Sequence, residues 1–289
     1  MHAIGVIGAG QMGAGIAQVS ATAGYHVLLS DVDLERAQAG KAGIAKALER
    51  LITKEKMTRS DADAALSRIE PVSSYAAMAP AGLVIEAATE REDIKRAIFA
   101  EVGRMLGSDA ILASNTSSIP ITRLAQSAPD AARFIGVHFF NPVPVMGLIE
   151  VIRGLATSDV TVLAVEAYGT KLGKRMVFAQ DAPGFIVNRI LMPMINEACF
   201  ALGEGVASIA DIDAACQLGL NHPMGPLTLA DFIGLDTCLG ITNVLFDSTG
   251  DPKFRSAPLL QKYVEAGWVG RKVKRGFYDY SGDIPVPTR

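Results

Sequence analysis

The amino-terminal segment joins a short apolar run to a dense series of glycines. Residues 3–7 are Ala-Ile-Gly-Val-Ile, a composition typical of a buried central strand. Gly8, Gly10 and Gly13 follow in the pattern G-x-G-x-x-G, and a helix-compatible stretch begins directly after Gly13. Because the strand, the glycine turn and the helix come in this order, the segment predicts an α/β domain with a Rossmann-type, largely parallel sheet.

The glycine turn also predicts a cofactor site. The first glycine allows a tight turn, the second lets the backbone approach a pyrophosphate, and the third permits close packing of the helix on the strand. The phosphates would then face the amino terminus of that helix. The residues predicted to meet the cofactor here are Gly8, Gly10, Gln11, Met12 and Gly13.

The second predicted strand, residues 25–30, ends at Asp31. An acid about twenty residues beyond the glycines suits the two hydroxyls of an adenosine ribose. Its charge would repel a 2′-phosphate, so the sequence favours NAD over NADP. A structural turn, or a site for another nucleotide-like cofactor, is the alternative. His26, inside this strand, is expected to be a packing residue.

Composition limits the remaining functions. The 289 residues are 49% hydrophobic and predict two domains, a dinucleotide-binding domain over 1–182 and a helical domain over 183–289. With 27 basic and 30 acidic residues, no global field recruits nucleic acid or an anionic membrane. The three cysteines lack metal-ligand spacing and are expected in the core. With no signal, transit or membrane-spanning segment expected, a cytoplasmic location is predicted.

Residues 34–67 are interpreted as a helix, a turn and a second helix. A minimal βαβ unit needs only a single short connection between its two strands, so this segment contains an additional helix. Spacings of four residues place Lys46, Arg50 and Lys54 on one face of the first helix, and Glu49 and Glu55 dilute this basic patch. The face is either a solvated surface or a clamp for a phosphate-bearing substrate.

Polar side chains follow two further predicted strands at their carboxyl ends, where ligands bind in open α/β sheets. Glu90 and Lys95 come after the strand at 83–88 and are candidates for the nicotinamide-side ribose, or else an ordinary exposed helix pair. Asn115 and Ser117 come after the strand at 110–114, and both are expected to be free for a ligand. Ser118 is expected to cap the next helix.

One of the four histidines lies in a predicted hairpin. Strands on either side of Pro144 would place Glu150 opposite His138, since both are equidistant from the turn. A carboxylate against an imidazole is a usual way to orient a histidine for proton transfer. A buried polar pair with a purely structural role is the alternative.

Beyond Phe185 the pattern becomes helical, with helices expected over 185–202, 209–218, 227–246 and 258–266 and a closing loop over 270–280. The first of these helices is largely apolar and must be buried against the sheet domain, its neighbours or a second subunit. Asn188 lies one turn into it. His222 is expected to be structural.

Five motifs in this order resemble the 3-hydroxyacyl-CoA dehydrogenase family, in particular its short, single-function 3-hydroxybutyryl-CoA branch. They cover almost the whole chain: residues 114–118 (Ser-Asn-Thr-Ser-Ser), 138–144 (His-Phe-Phe-Asn-Pro-Val-Pro), 181–189, 226–236 and 276–280. One departure is Val273-Lys274, where the family usually has a small residue and a glycine. Contacts from that loop to the cofactor are therefore in doubt.

The resemblance implies a role for each candidate. His138 is the general base, Glu150 orients it, and Asn188 holds the histidine and the substrate oxygen. Ser117 bonds the substrate hydroxyl. Contacts to NAD are implied for Asp31, Glu90, Lys95, Asn115 and Asn141, and contacts to the CoA phosphates for Arg50 and Lys54. The resemblance also implies an acyl-CoA substrate in fatty-acid or butanoate metabolism. The proton-transfer chemistry needs no metal, and the apolar helical domain suggests a homodimer formed through it.

Two other functions remain open on these residues. A related sugar-acid or carnitine dehydrogenase would use the same scaffold, although a small sugar acid needs no distant phosphate clamp. A catalytically idle relative of the lens-crystallin kind would not need Ser117, His138, Glu150 and Asn188 together.

Overall fold

The computed structural model describes residues 2–289, and close approaches of Cα atoms divide the chain into two units, Met1–Phe185 and Ile186–Arg289. The predicted boundary lies after residue 182. The substrate-binding and dimerisation roles predicted for the second unit stay predictions.

The first unit is built on an eight-stranded sheet with the order β3-β2-β1-β4-β5-β6-β7-β8. β7 is antiparallel to β6 and β8 is parallel to β7, while the other pairs are parallel, so the predicted Rossmann-type, largely parallel sheet is confirmed. The strands are β1 Ala3–Ile7, β2 His26–Ser30, β3 Ile69–Pro71, β4 Leu83–Glu86, β5 Ile111–Ser114, β6 Phe134–Phe139, β7 Leu148–Arg153 and β8 Arg175–Gln180.

Helices cover both faces of this sheet, which is why β1, β4 and β5 are buried along their whole length and are apolar except for Glu86 and Ser114, the last residues of β4 and β5. The predicted helical hairpin is confirmed by α2 and α3, which follow β2. The helices are α1 Gln11–Thr22, α2 Leu34–Thr53, α3 Arg59–Ser67, α4 Glu92–Gly103, α5 Ile121–Ala125 and α6 Asp159–Lys171. Short 3₁₀ turns cover Tyr75–Met78 and Ala131–Arg133.

The amino terminus of α5 corrects one prediction. Ser118 does not cap this helix, because the carboxylate of Asp181 accepts the first two backbone N–H groups, from Ile121 at 2.8 Å and Thr122 at 2.7 Å. Asp181 comes from the segment after β8, about sixty residues along the chain. A cap supplied from that distance leaves no local sequence signal.

The second unit is helical around its own apolar core. Its elements are α7 Val187–Gly203, α8 Ile209–Gly219, α9 Pro226–Ile233, α10 Leu235–Thr249, α11 Pro258–Glu265 and the short strands β9 Tyr278–Asp279 and β10 Val286–Pro287, with 3₁₀ turns at Pro252–Phe254 and Arg271–Val273.

Two of the helical predictions need correction. The single helix expected over 227–246 is wrong, because Gly234 adopts φ +106° and the chain turns by 97° between α9 and α10. The closing loop expected over 270–280 contains β9, which pairs with β10.

The predictions for His26 and the three cysteines have different outcomes. His26 is not a packing residue, since it is exposed and its Nε2 lies 3.2 Å from Glu70 Oε2. Cys199 and Cys238 are buried as expected, and burial raises the pKa of the Cys238 thiol to about 12, whereas Cys216 is only half-buried.

Within residues 2–289, no single helix is long and apolar enough to cross a membrane, and only the bent pair α9 and α10 meets that test jointly.

Candidate active site

The glycine turn after β1 packs tightly against neighbouring backbone at Gly8 and Gly13 and is open at Gly10. Gly8 adopts φ +100°, and a Cβ there would lie 2.6 Å from the Ala87 carbonyl oxygen. A Cβ on Gly13 would lie 1.7 Å from the Gly8 oxygen, so neither position tolerates a side chain. A Cβ on Gly10 would meet no atom within 4 Å. The open side of Gly10 is where a pyrophosphate can approach the backbone.

A cleft of about 600 Å³ lies at this turn. Gly8, Gly10 and Gln11 line it together with the end of β2 and one face of α2. Met12 does not, because its side chain packs against the apolar core of the sheet. The volume and the exposed turn fit a dinucleotide with its phosphates at the start of α1.

Asp31 lines the same cleft at the end of β2. Its Oδ2 accepts the Ala9 N–H at 2.6 Å, and its Oδ1 accepts the Val32 N–H at 2.8 Å. The carboxylate therefore holds the glycine turn against β2, in addition to the ribose contact predicted for it.

A buried ion pair lies beneath the carboxyl ends of β4 and β5. Lys95 Nζ is 2.5 Å from Glu86 Oε2, and both side chains are at most 1% exposed. Ser114 Oγ donates to the same oxygen at 3.2 Å. The alternative of an ordinary exposed helix pair is therefore wrong for Lys95. Glu86 was missed, although an acid ending an apolar strand requires a buried counter-charge or hydrogen bonds.

Glu90 organises the loop that follows β5. Its Oε1 accepts hydrogen bonds from the Thr116 hydroxyl at 2.6 Å, the Ser117 N–H at 2.8 Å, and the hydroxyls of Ser117 and Ser118 at 3.1 and 3.0 Å. Lys95 Nζ lies 3.7 Å from the other oxygen of Glu90. The expectation that Ser117 is free is wrong, because Glu90 holds its hydroxyl and its backbone.

Asn115 is also engaged. Its Oδ1 accepts the Phe139 N–H at 2.9 Å, which ties the end of β5 to the residue after His138. Its Nδ2 donates no hydrogen bond within residues 2–289 and can still meet a ligand. Asn141 is exposed at the start of the turn after β6, where it forms a cis peptide bond with Pro142.

The predicted hairpin register is confirmed. His138 on β6 is directly opposite Glu150 on β7, and His138 Nδ1 lies 2.7 Å from Glu150 Oε2. Glu150 is fully buried, and the imidazole packs near the rings of Phe140 and Phe185 at 4.6 and 5.8 Å. Because an ionised carboxylate only accepts, Nδ1 carries the proton and Nε2 of the neutral ring is left as the basic atom.

Lys174 holds the turn between β6 and β7, and the sequence carried no signal for this role. Its ammonium donates to the carbonyl oxygens of Val143 at 2.7 Å and Met146 at 2.6 Å. Partial burial lowers the pKa of Lys174. On the other side, Val143 packs against Gly15 of α1, where a Cβ would lie 2.8 Å from the valine Cβ. The hairpin is thus fixed to α1, the helix that follows the glycine turn.

The basic face of α2 has less free negative charge beside it than its sequence indicates. Arg59 binds Glu49 through two nitrogens, at 2.6 and 2.7 Å, and this bonding lowers the pKa of Glu49. Arg50 and Lys54 are exposed and have no side-chain partner within residues 2–289. Two cations therefore remain available to an anionic ligand.

Asn188 belongs to the other unit, where it is a buried residue of the first turn of α7. His222 is half-buried in the segment before α9. In the part of the chain that the structure describes, no group of three or more His, Cys, Asp or Glu side chains is arranged to hold a metal ion.

Comparison with known sequences agrees with this geometry. Residues 3–182 match the model for the 3-hydroxyacyl-CoA dehydrogenase NAD binding domain, and residues 184–280 match the model for the C-terminal domain of that family. A 3-hydroxybutyryl-CoA dehydrogenase of Bradyrhizobium diazoefficiens is 55% identical over 99% of this chain and 98% of its own. A probable 3-hydroxybutyryl-CoA dehydrogenase of Bacillus subtilis is 52% identical over 95% and 96%.

Solved structures show the same likeness over the whole fold. The (S)-3-hydroxybutyryl-CoA dehydrogenase PaaH1 from Ralstonia eutropha superposes with a TM-score of 0.95 at 51% identity, covering 98% of this chain and all of that one. A 3-hydroxybutyryl-CoA dehydrogenase from Escherichia coli K12 gives a TM-score of 0.95 at 40% identity over 99% of this chain and 61% of that one. The chain therefore belongs to the 3-hydroxyacyl-CoA dehydrogenase family and uses NAD as its cofactor.

Proposed function

We propose that this protein is an NAD-dependent oxidoreductase that interconverts an (S)-3-hydroxyacyl-CoA, foremost 3-hydroxybutyryl-CoA, and the corresponding 3-ketoacyl-CoA. The observation that carries the proposal is the 2.7 Å bond between His138 and the buried Glu150, on the sheet that also forms the dinucleotide cleft. The names of the relatives from Bradyrhizobium diazoefficiens and Ralstonia eutropha support the substrate class.

The chemistry requires a base at this place. A secondary alcohol gives up a hydride only as its hydroxyl proton departs, and a positioned base must take that proton. His138 takes the proton at Nε2, and the carboxylate of Glu150 stabilises the resulting imidazolium through Nδ1–H. In the opposite direction the imidazolium donates the proton to the 3-keto oxygen. NAD, when bound, supplies the hydride acceptor.

Ser117 and Asn188 are assigned to the substrate oxygen. The Ser117 hydroxyl already donates to Glu90 at 3.1 Å, which is long for an O–H···O bond. Contact with substrate therefore exchanges this weak bond for a new one, while the stronger bond from the Ser117 N–H to Glu90 keeps the loop in place. Asn188 is proposed, by the family resemblance, to hold the histidine and the substrate oxygen.

Arg50 and Lys54 are proposed to bind the phosphates of CoA. Both cations are exposed, and the neighbouring Glu49 is neutralised by Arg59. A guanidinium with an ammonium one turn away suits a phosphate group. A small hydroxy acid without a nucleotide handle has no use for this pair.

The helical unit is proposed to form a homodimer interface. It exposes large apolar side chains that its own core does not cover, including Ile190 at 67%, Leu218 at 87% and Phe232 at 52%. Such side chains favour association with a second copy. A cytoplasmic location and a role in fatty-acid or butanoate metabolism complete the proposal. Light scattering on the purified protein tests the dimer, and a monomer mass at micromolar concentration would contradict it.

The central experiment is a spectrophotometric assay of NADH oxidation with acetoacetyl-CoA, with free acetoacetate and longer 3-ketoacyl-CoA esters in parallel. We expect turnover of acetoacetyl-CoA and none of the free acid. Turnover of free keto acids or dehydrocarnitine with no turnover of CoA esters would favour the related hydroxy-acid dehydrogenases instead. No turnover of any of these compounds, by a protein that binds NADH, would favour an idle relative.

The phosphate clamp has its own variant pair. We expect Arg50→Ala with Lys54→Ala to raise the KM for acetoacetyl-CoA about tenfold or more, because two charge-assisted contacts are lost, while kcat changes little. The matched control is Arg104→Ala with Lys262→Ala, which removes the same charge from exposed positions elsewhere. An unchanged KM in the first variant would remove the CoA assignment.

A further inference from the structure

The turn that follows β8 holds an aromatic residue in an unusual backbone conformation. Residues 181–185 are Asp-Ala-Pro-Gly-Phe, and Phe185 adopts φ +50°. We propose that Phe185 is a positioning residue for His138: its ring, held by this turn, keeps the imidazole in the orientation that proton transfer requires. The inference rests on the proposed function, in which His138 is the base.

The geometry of the turn explains Gly184 but not Phe185. The Phe185 N–H donates to the Ala182 carbonyl oxygen at 2.9 Å, and Pro183 followed by Gly184 at φ +76° is the pattern of a type II turn. Phe185 then stays in the left-handed region, where a bulky residue is strained and glycine is usual. Strained residues concentrate at functional sites, so a large ring kept at such a position indicates that the ring is needed there.

The Phe185 ring packs with an apolar cluster and with the imidazole. Phe185 is 6% exposed and belongs to the same buried cluster as Ile121 and Ile152. Its ring centroid is 5.8 Å from that of His138, and the two ring planes are inclined at 61°. Aromatic rings attract one another in this edge-to-face arrangement. The contact restricts the χ2 torsion of the histidine, which is otherwise broad.

The turn is fixed to the helix that covers this face of β6. Gly136 and His138 are two residues apart on β6 and share a face, and a Cβ on Gly136 would lie 2.8 Å from Ile121 Cδ1 of α5. The Asp181 carboxylate accepts the N–H groups of Ile121 and Thr122, which attaches the start of the turn to α5. Asp181 therefore supports the imidazole indirectly, through the position of the Phe185 ring.

The other contacts of the imidazole do not replace this ring. Glu150 holds the imidazole at one atom, Nδ1, and a single hydrogen bond allows the ring to pivot. Phe140 lies 4.6 Å away, but it is half-buried and follows His138 directly at the end of β6. Phe185 supplies a contact from a different part of the chain. Because proton transfer requires atoms within hydrogen-bond reach, a small rotation of the imidazole lowers the rate of the chemical step.

The kinetic test compares Phe185→Leu with Phe99→Leu. Leucine remains apolar at both positions and removes the aromatic ring. Phe99 is the matched control, because it is fully buried in the same cluster and packs edge-to-face on Phe134 instead of the histidine.

We expect Phe185→Leu to lower the single-turnover rate of NADH oxidation by acetoacetyl-CoA about tenfold or more. The KM for acetoacetyl-CoA and the Kd for NADH should change less than about twofold. Phe99→Leu should lose stability in urea and keep the wild-type rate. A wild-type rate in Phe185→Leu, an effect on KM alone, or an equal loss of rate in both variants would overturn the proposal.

A second variant covers the case in which Phe185→Leu fails to fold. Asp181→Asn keeps the ring and leaves one acceptor, where the carboxylate has two, for the N–H groups of α5. NMR of protein with isotope-labelled histidine follows the Nδ1 proton that His138 shares with Glu150. We expect a sharp signal in the wild type and in Phe99→Leu, and a signal broadened by exchange with water in Asp181→Asn. An unchanged signal in Asp181→Asn, with a wild-type single-turnover rate, would contradict the proposal.

Failure of this inference is distinguishable from failure of the proposed function. If His138→Gln keeps its turnover, the proposed function is wrong and there is no base for Phe185 to position. If His138→Gln loses turnover while Phe185→Leu and Asp181→Asn keep the wild-type rate, the proposed reaction stands and the positioning role alone is wrong.

Discussion

Both units of the molecule bury carboxylates, but they satisfy them with different partners. In the sheet unit, Glu150 meets the imidazole of His138 and Glu86 meets the ammonium of Lys95. In the helical unit, Asp213 and Asp231 receive hydrogen bonds from backbone N–H groups and from Thr and Tyr hydroxyls. A carboxylate beside a titratable base can take part in proton transfer, whereas one surrounded by neutral donors serves to hold segments together.

The helical unit uses its carboxylates to attach its carboxyl-terminal segment. Asp231 Oδ1 accepts the Phe277 N–H at 2.9 Å, and its Oδ2 accepts the Tyr278 N–H at 2.9 Å and the Tyr280 hydroxyl at 3.0 Å. The Tyr278 hydroxyl donates to Asp213 at 2.9 Å. Burial and the adjacent carboxylates raise the pKa of both tyrosines, so their hydroxyls remain donors at all ordinary pH values.

The largest expected effect concerns the imidazole. His138→Gln keeps a polar side chain but cannot take the proton, so we expect kcat with acetoacetyl-CoA to fall about 10³–10⁴-fold. NADH binding, measured by fluorescence titration, should be unchanged. A kcat near the wild-type value would contradict the proposed proton transfer and remove the functional distinction between the two units.

The next largest effect concerns the buried ion pair of Lys95 and Glu86. Lys95→Met leaves Glu86 buried without its counter-charge, and we expect the free energy of unfolding to fall by about 3–5 kcal/mol in urea titrations. Adding Glu86→Gln should recover a large part of this loss, because no uncompensated charge remains. If the double variant is no more stable than Lys95→Met, the pair is not coupled as its geometry indicates.

In the helical unit, Asp231→Asn should reduce stability without affecting catalysis. The amide oxygen accepts fewer hydrogen bonds than the carboxylate, and its NH₂ group meets donors, so we expect a loss of about 1–3 kcal/mol. The kcat of the folded enzyme should equal that of the wild type. A kcat reduced tenfold or more would show that this network is not confined to a structural role.

The same variant gives a pH signature. Burial raises the pKa of Asp231, and its hydrogen bonds to the backbone of Tyr278 and Phe277 only partly oppose the shift. Between the pKa of about 4 in the unfolded chain and the raised pKa in the folded chain, the unfolded chain has released a proton that the folded chain retains. The wild type should therefore lose stability relative to Asp231→Asn as the pH rises through this window. Melting curves of both proteins measure the difference, and a difference constant with pH would contradict it.

The smallest effect concerns Lys274, which adopts φ +61° in the segment joined to Asp231. A non-glycine residue in this left-handed conformation is strained by roughly 1–2 kcal/mol, and the gain from glycine is partly offset by the freedom it adds to the unfolded chain. We expect Lys274→Gly to stabilise the protein by about 0.5–1 kcal/mol in urea. Lys274→Ala is the matched control, because it removes the charge but keeps the strain.

Much of the candidate site follows from short-range patterns. The turn from Gly8 to Gly13 and the pairing of His138 with Glu150 each join residues at most twelve apart, so spacing alone predicted them. The prediction for Glu150 rested on equal spacing about Pro144, since one residue of slip would have turned the carboxylate to the other face of the sheet, and the structure confirms the register. The helical hairpin after Asp31 followed in the same way from its periodicity.

The supporting contacts were not predictable in this way. Glu90 holds a loop 26–28 residues away, and Asp181 caps a helix from 59–60 residues away. Many polar side chains along the chain could have held this loop or capped this helix. Packing of the sheet determines which side chain lies close enough to do so. The break at Gly234 is similar, since a glycine within an apolar helical pattern permits a turn but does not require one.

The sequence by itself determined the fold class, the glycine turn and the pairing of His138 with Glu150, because each depends on residues close together in the chain, and it determined the family through five short motifs. Only the tertiary structure decided that Glu86 neutralises Lys95, that Lys174 secures the turn between β6 and β7, and that Asp181 caps α5. Burial makes an unpaired polar group costly, and which groups are buried together is a property of the packed chain.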